Sequence, residues 1–107
     1  MWLGEDAYID FYLDRKIYPK KEIKITIYAA DKWDKMKIFK IQDDKTKDII
    51  AEFKYKKHKS MAFTFDVPKS YIQKNGEVKL NILFNKVKKH NLESYGMIIE
   101  GLKIEIN

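Results

Sequence analysis

Residues 60–85 decide the fold: Ser60-Met61-Ala62-Phe63-Thr64-Phe65-Asp66-Val67, then Pro68 and a polar link, then Asn75-Gly76-Glu77-Val78-Lys79-Leu80-Asn81-Ile82-Leu83-Phe84-Asn85. Met61, Phe63, Phe65 and Val67 recur at every second position, and so do Val78, Leu80, Ile82 and Phe84. A period of two places one set of side chains on one side of a pleated strand. Two strands with a shared buried face are therefore expected, with Ala62, Thr64, Asp66, Lys79 and Asn81 turned to water or to an edge. Pro68 to Ile72 reads as one helical turn, and Asn75-Gly76 supplies the positive φ of a tight turn.

The same alternation extends outward in both directions. Upstream, Ile49, Ala51, Phe53 and Tyr55 form a return strand after the turn Asp43-Asp44-Lys45-Thr46, and Lys56-Lys57-His58-Lys59 is a basic hairpin tip. Met36 and Ile38 followed by Phe39 and Ile41 change face in mid-segment, which predicts a β-bulge there. Ala30 to Lys35 breaks the pattern and presents Trp33 in a polar loop. Ile23, Ile25, Ile27 and Ala29 alternate cleanly with Lys24, Thr26 and Tyr28. Before the Tyr18-Pro19 turn, Ala7, Ile9, Phe11 and Leu13 form an inward row, with Tyr8, Asp10 and Tyr12 opposite. Downstream, Lys86 to Tyr95 reads as polar and irregular, and Leu102, Ile104 and Ile106 mark a closing strand.

No segment keeps an apolar spacing of three and four, so no long helix is expected. About eight short strands, with turns roughly every 8 to 12 residues, predict an all-β fold: a two-sheet antiparallel β-sandwich with jelly-roll winding. One domain spanning residues 1–107 is expected, since a chain of 107 residues buries about two thirds of its unfolded surface around one core. Trp2 before any leader reads as the edge of a domain within a longer protein. A hydrophobic fraction of 45% with 14% aromatics marks a folding chain, and the absence of cysteine leaves stability to packing. No apolar run approaches the roughly 20 residues of a membrane helix, so no membrane insertion is expected.

The formal charge of +6 comes from lysine, with Arg15 as the single arginine. Nucleic-acid recognition favours the planar arginine fork, so scattered lysines read as a solvated coat and no nucleic-acid partner is expected. Catalytic patterns are missing as well. His58 and His90 stand in separate basic stretches without a nucleophile at a recognisable spacing, and the four glycines are dispersed rather than grouped into a phosphate loop. Asp43-Asp44 and Glu5-Asp6 offer oxygen ligands but lack the alternating acidic spacing of a calcium loop. A structural calcium held by backbone carbonyls is compatible with the chain, but nothing in it calls for one. No metal, no cofactor and no enzymatic activity are expected.

Exposed rings are the remaining feature. A sugar has an apolar face that stacks on a flat ring while its hydroxyls take polar partners. Trp33, Tyr12, Tyr28 and Asp31 are the leading ligand-binding candidates, and His90 and Asn91 are further hydrogen-bonding candidates.

Three stretches carry a family resemblance: Trp2 to Phe11, Phe63 to Pro68 followed by Asn75 to Ile82, and Met97 to Ile106. They resemble the jelly-roll accessory domains of bacterial cell-surface glycan enzymes such as glycosyltransferases, a group similar to galactose-binding-like and carbohydrate-binding-module sandwiches. Those domains often carry an acidic residue and an arginine before the last strand, after a proline-bearing loop. Here that stretch is His90-Asn91-Leu92-Glu93-Ser94-Tyr95-Gly96, without arginine or proline, so no contact carries over. The resemblance implies a non-catalytic, glycan-associated module with a glycan or sugar ligand. The alternative is a protein-interaction or dimerisation domain, self-associating or placing a neighbouring catalytic domain. Cytoplasmic and cell-surface locations both fit.

Overall fold

A computed structural model describes residues 2–3, 7–14, 22–30, 37–55, 61–85, 88–90, 93–95 and 97–106, and for 2–3, 88–90, 93–95 and 97–98 it describes the backbone alone. Among the described residues ten strands follow one another: β1 (Trp2–Leu3), β2 (Ala7–Tyr12), β3 (Ile23–Ala30), β4 (Lys37–Asp43), β5 (Ile49–Tyr55), β6 (Met61–Val67), β7 (Glu77–Phe84), β8 (Lys88–His90), β9 (Glu93–Tyr95) and β10 (Met97–Ile106). Between β6 and β7 lies a single 3-10 turn, Lys69–Tyr71, where the fixed φ of Pro68 starts the bend.

The pairings are nested. β4 pairs with β5, β3 with β6, β2 with β7 and β1 with β10, all antiparallel, so the chain is one long hairpin whose tip is the turn after Asp43. Two further ladders, β10 with β3 and β4 with β7, roll that hairpin into two layers. Sheet A runs β1-β10-β3-β6 and sheet B runs β2-β7-β4-β5. This is the winding of a jelly roll, and the two sheets hold eight strands, seven of them read from the alternation and the eighth, β1, only two residues long. The stretch read as irregular contains a small antiparallel ribbon instead, β8 with β9. Strands of three residues are too short to show a period.

The core lies between the sheets. Ile23, Ile25, Ile27 and Val67 from sheet A and Phe39, Ile41, Val78 and Leu80 from sheet B are fully buried. Phe39 joins the layers: its ring meets Phe63 of sheet A edge-on at 4.8 Å between centroids, with Phe53 at 5.1 Å and Phe84 at 5.8 Å. Perpendicular and tilted rings place the positive edge of one on the negative face of another, which is worth about 0.5–1.5 kcal/mol per pair beyond the buried area.

Two expectations about facing are corrected. β4 has no bulge near Ile38: Lys37, Phe39, Ile41 and Asp43 point inward in unbroken alternation, and Lys37 is fully buried with its ammonium 5.6 Å from the Phe84 ring centre. A lysine and an aspartate at inward positions concealed the strand's true phase. The extra residue sits on the partner strand, where Ile41 faces Ala51 but Gln42 faces Ile49, so Ile50 is the bulge and Ile49 is turned out to solvent. A second bulge, at Glu100, keeps Met97–Ile106 one continuous strand across Gly101.

Candidate functional site

The outer face of sheet B carries the densest group of exposed rings and convergent polar side chains among the described residues. Alternation along β2 turns Tyr8, Asp10 and Tyr12 outward, because Ile9 is held in the core and Phe11 packs against it. Register with β7 then sets Tyr8 opposite Asn81, Asp10 opposite Lys79 and Tyr12 opposite Glu77. β4 adds Gln42 opposite Asn81. Tyr8 is 59% exposed and Tyr12 64%, although large rings gain most from burial. Same-face residues four apart on a strand are about 14 Å apart. The two rings therefore bracket Asp10 on an extended shelf.

Hydrogen bonds fix the polar groups beside that shelf. Tyr12 Oη donates to Glu77 Oε2 at 3.2 Å, and this bond, with the carboxylate's charge behind it, raises the phenol above its ordinary 10.0. Asn81 Nδ2 donates to Asp44 Oδ1 at 3.1 Å and to Gln42 Oε1 at 3.4 Å. The hydrogen bond from the Asn81 amide holds Asp44 below its ordinary 3.8, and the charges of Lys47 and Lys79 act in the same direction. At neutral pH Asp44 is a fixed anion and acceptor. Lys79 Nζ sits 4.0 Å from Asp44 Oδ2 and 5.3 Å from the Tyr8 ring centre, so one ammonium links the carboxylate to the shelf.

The shelf runs into a recess of about 630 Å³ lined by Asp43, Asp44, Lys45, Gln73, Lys74, Asn75, Glu77 and Lys79. Its walls are two turns. In the β4–β5 turn, Asp43 Oδ2 accepts from Thr46 N at 2.8 Å and from Thr46 Oγ1 at 3.0 Å, and Lys47 takes φ 66°. In the β6–β7 link, Asn75 Oδ1 accepts from Glu77 N at 3.0 Å, and Gly76 takes φ 87° with its carbonyl accepting from Leu13 N at 2.8 Å. The fold seats the second wall by tying the end of β2 to Gly76. Glu77 and Lys79 belong to both recess and shelf.

Of the residues singled out from the sequence, Tyr12 lies on this face. Tyr28 lies on the outer face of sheet A, on the opposite side of the sandwich, 40% exposed and opposite Gly101. The fold does not bring Tyr12 and Tyr28 together. His90 belongs to β8 by its backbone, and Trp33, Asp31 and Asn91 lie outside the described residues. Sequence reasoning did not single out Tyr8, Gln42, Asp44, Glu77, Lys79 and Asn81 as site residues. Parity alone puts Tyr8 with Tyr12. The others join them only through pairing between strands distant in sequence, such as Tyr12 with Glu77, 65 residues apart, and Asn81 with Asp44, 37 apart.

Among the described residues, no group of three or more histidine, aspartate or glutamate side chains converges to hold a metal ion. No helix among them is long and apolar enough to cross a membrane. The chain matches none of the protein families, characterised proteins or solved structures compared with it.

Proposed function

We propose that this chain is a non-catalytic carbohydrate-binding module that takes an oligosaccharide along the outer face of sheet B, as an accessory to a neighbouring glycan-acting domain. The observation that carries the reading is the pair of exposed rings, Tyr8 and Tyr12, bracketing Asp10 beside Glu77, Lys79 and Asn81. Two flat rings carried by strand positions about 14 Å apart suit a chain of several sugar rings better than a single one. Carboxylate, amide and ammonium groups between and beyond them supply acceptors and donors for hydroxyls, the usual division between an apolar surface and a few oriented polar groups. The resemblance to accessory domains of bacterial cell-surface glycan enzymes supports the same reading.

A glycan array, followed by titration calorimetry on the strongest hit, tests it. Tyr12→Ala and Tyr8→Ala are each expected to weaken binding about tenfold or more, with melting temperatures near that of the parent because both rings are largely exposed. Tyr28→Ala, on the other sheet, is expected to leave affinity unchanged. Binding that is indifferent to both β2 tyrosines, or no bound glycan at all, would overturn the reading.

A further inference from the structure

β10 presents an unusual edge. In sheet A its described outer neighbour, β1, pairs only with Met97 and Ile98, so from Gly101 to Ile106 no described strand lies on the side away from β3. Leu102, Ile104 and Ile106 stand in register with the buried Ile27, Ile25 and Ile23 and therefore face the core side of the sheet. Yet they are 45%, 37% and 39% exposed. On the outer face Lys103 and Glu105 alternate with them, Nζ and Oε1 3.6 Å apart. Open edges are normally blunted by inward charges or a lone lysine, because unpaired N–H and C=O groups template pairing with another strand. Here the inward row is aliphatic, and the one lysine is followed two residues later by a glutamate.

We infer that two copies of this chain join edge to edge through β10, antiparallel, about a two-fold axis at Ile104. The stretch Leu102-Lys103-Ile104-Glu105-Ile106 is complementary to its own reverse. An axis at Ile104 sets Leu102 opposite Ile106 of the second copy, Lys103 opposite Glu105, and Ile104 opposite itself. Every apolar side chain then meets an apolar one on the core side, and every charge meets its opposite on the outer side. A shift of the axis by one residue, to Lys103 or Glu105, would set like charges face to face, which destabilises a cross-strand pair. The self-complementarity therefore specifies the register as well as the partner. The ladder joins β6-β3-β10 of one copy to β10-β3-β6 of the other, an isologous contact that closes at two subunits. It stands apart from the glycan reading, which uses the outer face of sheet B.

Sedimentation velocity from micromolar to millimolar chain, with amide hydrogen exchange at the two ends of that range, tests the proposal. A monomer–dimer equilibrium is expected, with slowed exchange confined to alternate amides of residues 101–106 at high concentration. Ile104→Lys sets two ammonium groups against each other on the axis and is expected to weaken the dimer at least tenfold. Lys103→Glu weakens it about threefold or more, because exposed pairs are individually weak, and the exchange Lys103→Glu with Glu105→Lys restores it to within about twofold. The charge-exchanged protein keeps the core untouched, so it decides the matter even if Ile104→Lys impairs folding. A monomer throughout the range, a dimer indifferent to Ile104→Lys in a folded protein, or a charge exchange that fails to restore association would overturn the inference.

Discussion

β3 and β10 are neighbours in sheet A with nearly the same signature, and their side chains meet opposite fates. Ile23, Ile25 and Ile27 are wholly buried, whereas their register partners Ile106, Ile104 and Leu102, on the same side of the same sheet, remain more than a third exposed. β3 is flanked by β10 and β6, whereas β10 past Ile98 is flanked only by β3 among the described residues. Alternation reports which side a residue takes. It does not report how much water leaves that side: Phe65 and Val67 on β6, which also has β3 as its one described neighbour, are buried, and free energy follows the water.

The largest test sets one partner against the other. Ile25→Ala removes buried methylenes and leaves a cavity, with an expected loss of about 2–5 kcal/mol in urea unfolding. Ile104→Ala, measured on dilute protein, is expected to lose less than about 1 kcal/mol, because much of that side chain is wet already. Equal losses would break the comparison and mean that β10 is covered as fully as β3.

A second, smaller contrast carries the comparison from side chains to backbone. Gly76 takes φ +87°, and a Cβ there would lie 2.5 Å from the Leu13 carbonyl oxygen, which neither strand end can yield without losing the Leu13–Gly76 hydrogen bond. Gly101, in β10, has room: a Cβ there meets the Tyr28 ring at 3.7 Å, an ordinary contact. Gly76→Ala is expected to cost about 2 kcal/mol, above the usual gain from stiffening the unfolded chain, and Gly101→Ala to change stability by less than about 1 kcal/mol. A tolerated Gly76→Ala would show that the end of β2 is not held where the recess needs it.

The same distinction explains how far the sequence could be read. Parity was enough for Ile23 to Ala29, Phe63 to Val67 and Val78 to Ile82, because those strands put apolar residues at every inward position and the facing sheet covers them. It misplaced Ile38 because Lys37 and Asp43 occupy inward positions, and it misplaced Ile49 because two isoleucines in succession hide which one bulges. The Asn75-Gly76 turn was legible from local chemistry, since only a few residues accept positive φ. The candidate site was legible only as a parity class. Tyr12 and Tyr28 both read as outward, and nothing short of the pairing order shows that outward means opposite sides of the molecule. The groups that surround Tyr8 and Tyr12 come from β7 and β4, whose partnership with β2 is a property of the roll rather than of any local stretch.

The smallest effect concerns charge on the two outer faces. Lys103 and Glu105 form an exposed pair along one strand, whereas Asp44 is held by the neutral amide of Asn81 before any cation is counted. A carboxyl whose folded value is lowered favours its ionised form in the fold. It therefore adds stability above the ordinary 3.8, and that share fades as pH falls through the lower folded value. The fall in melting temperature from about pH 5 to pH 3 is accordingly expected to be shallower in Asp44→Asn than in the parent. Asn81→Ala is expected to return the Asp44 carboxyl toward its ordinary value in an NMR titration. Salt separates the causes: it screens Lys47 and Lys79 but leaves a hydrogen bond in place. An Asp44 midpoint that stays low in strong salt and rises only with Asn81→Ala would show that the amide, rather than the lysine coat, fixes this anion at the edge of the recess.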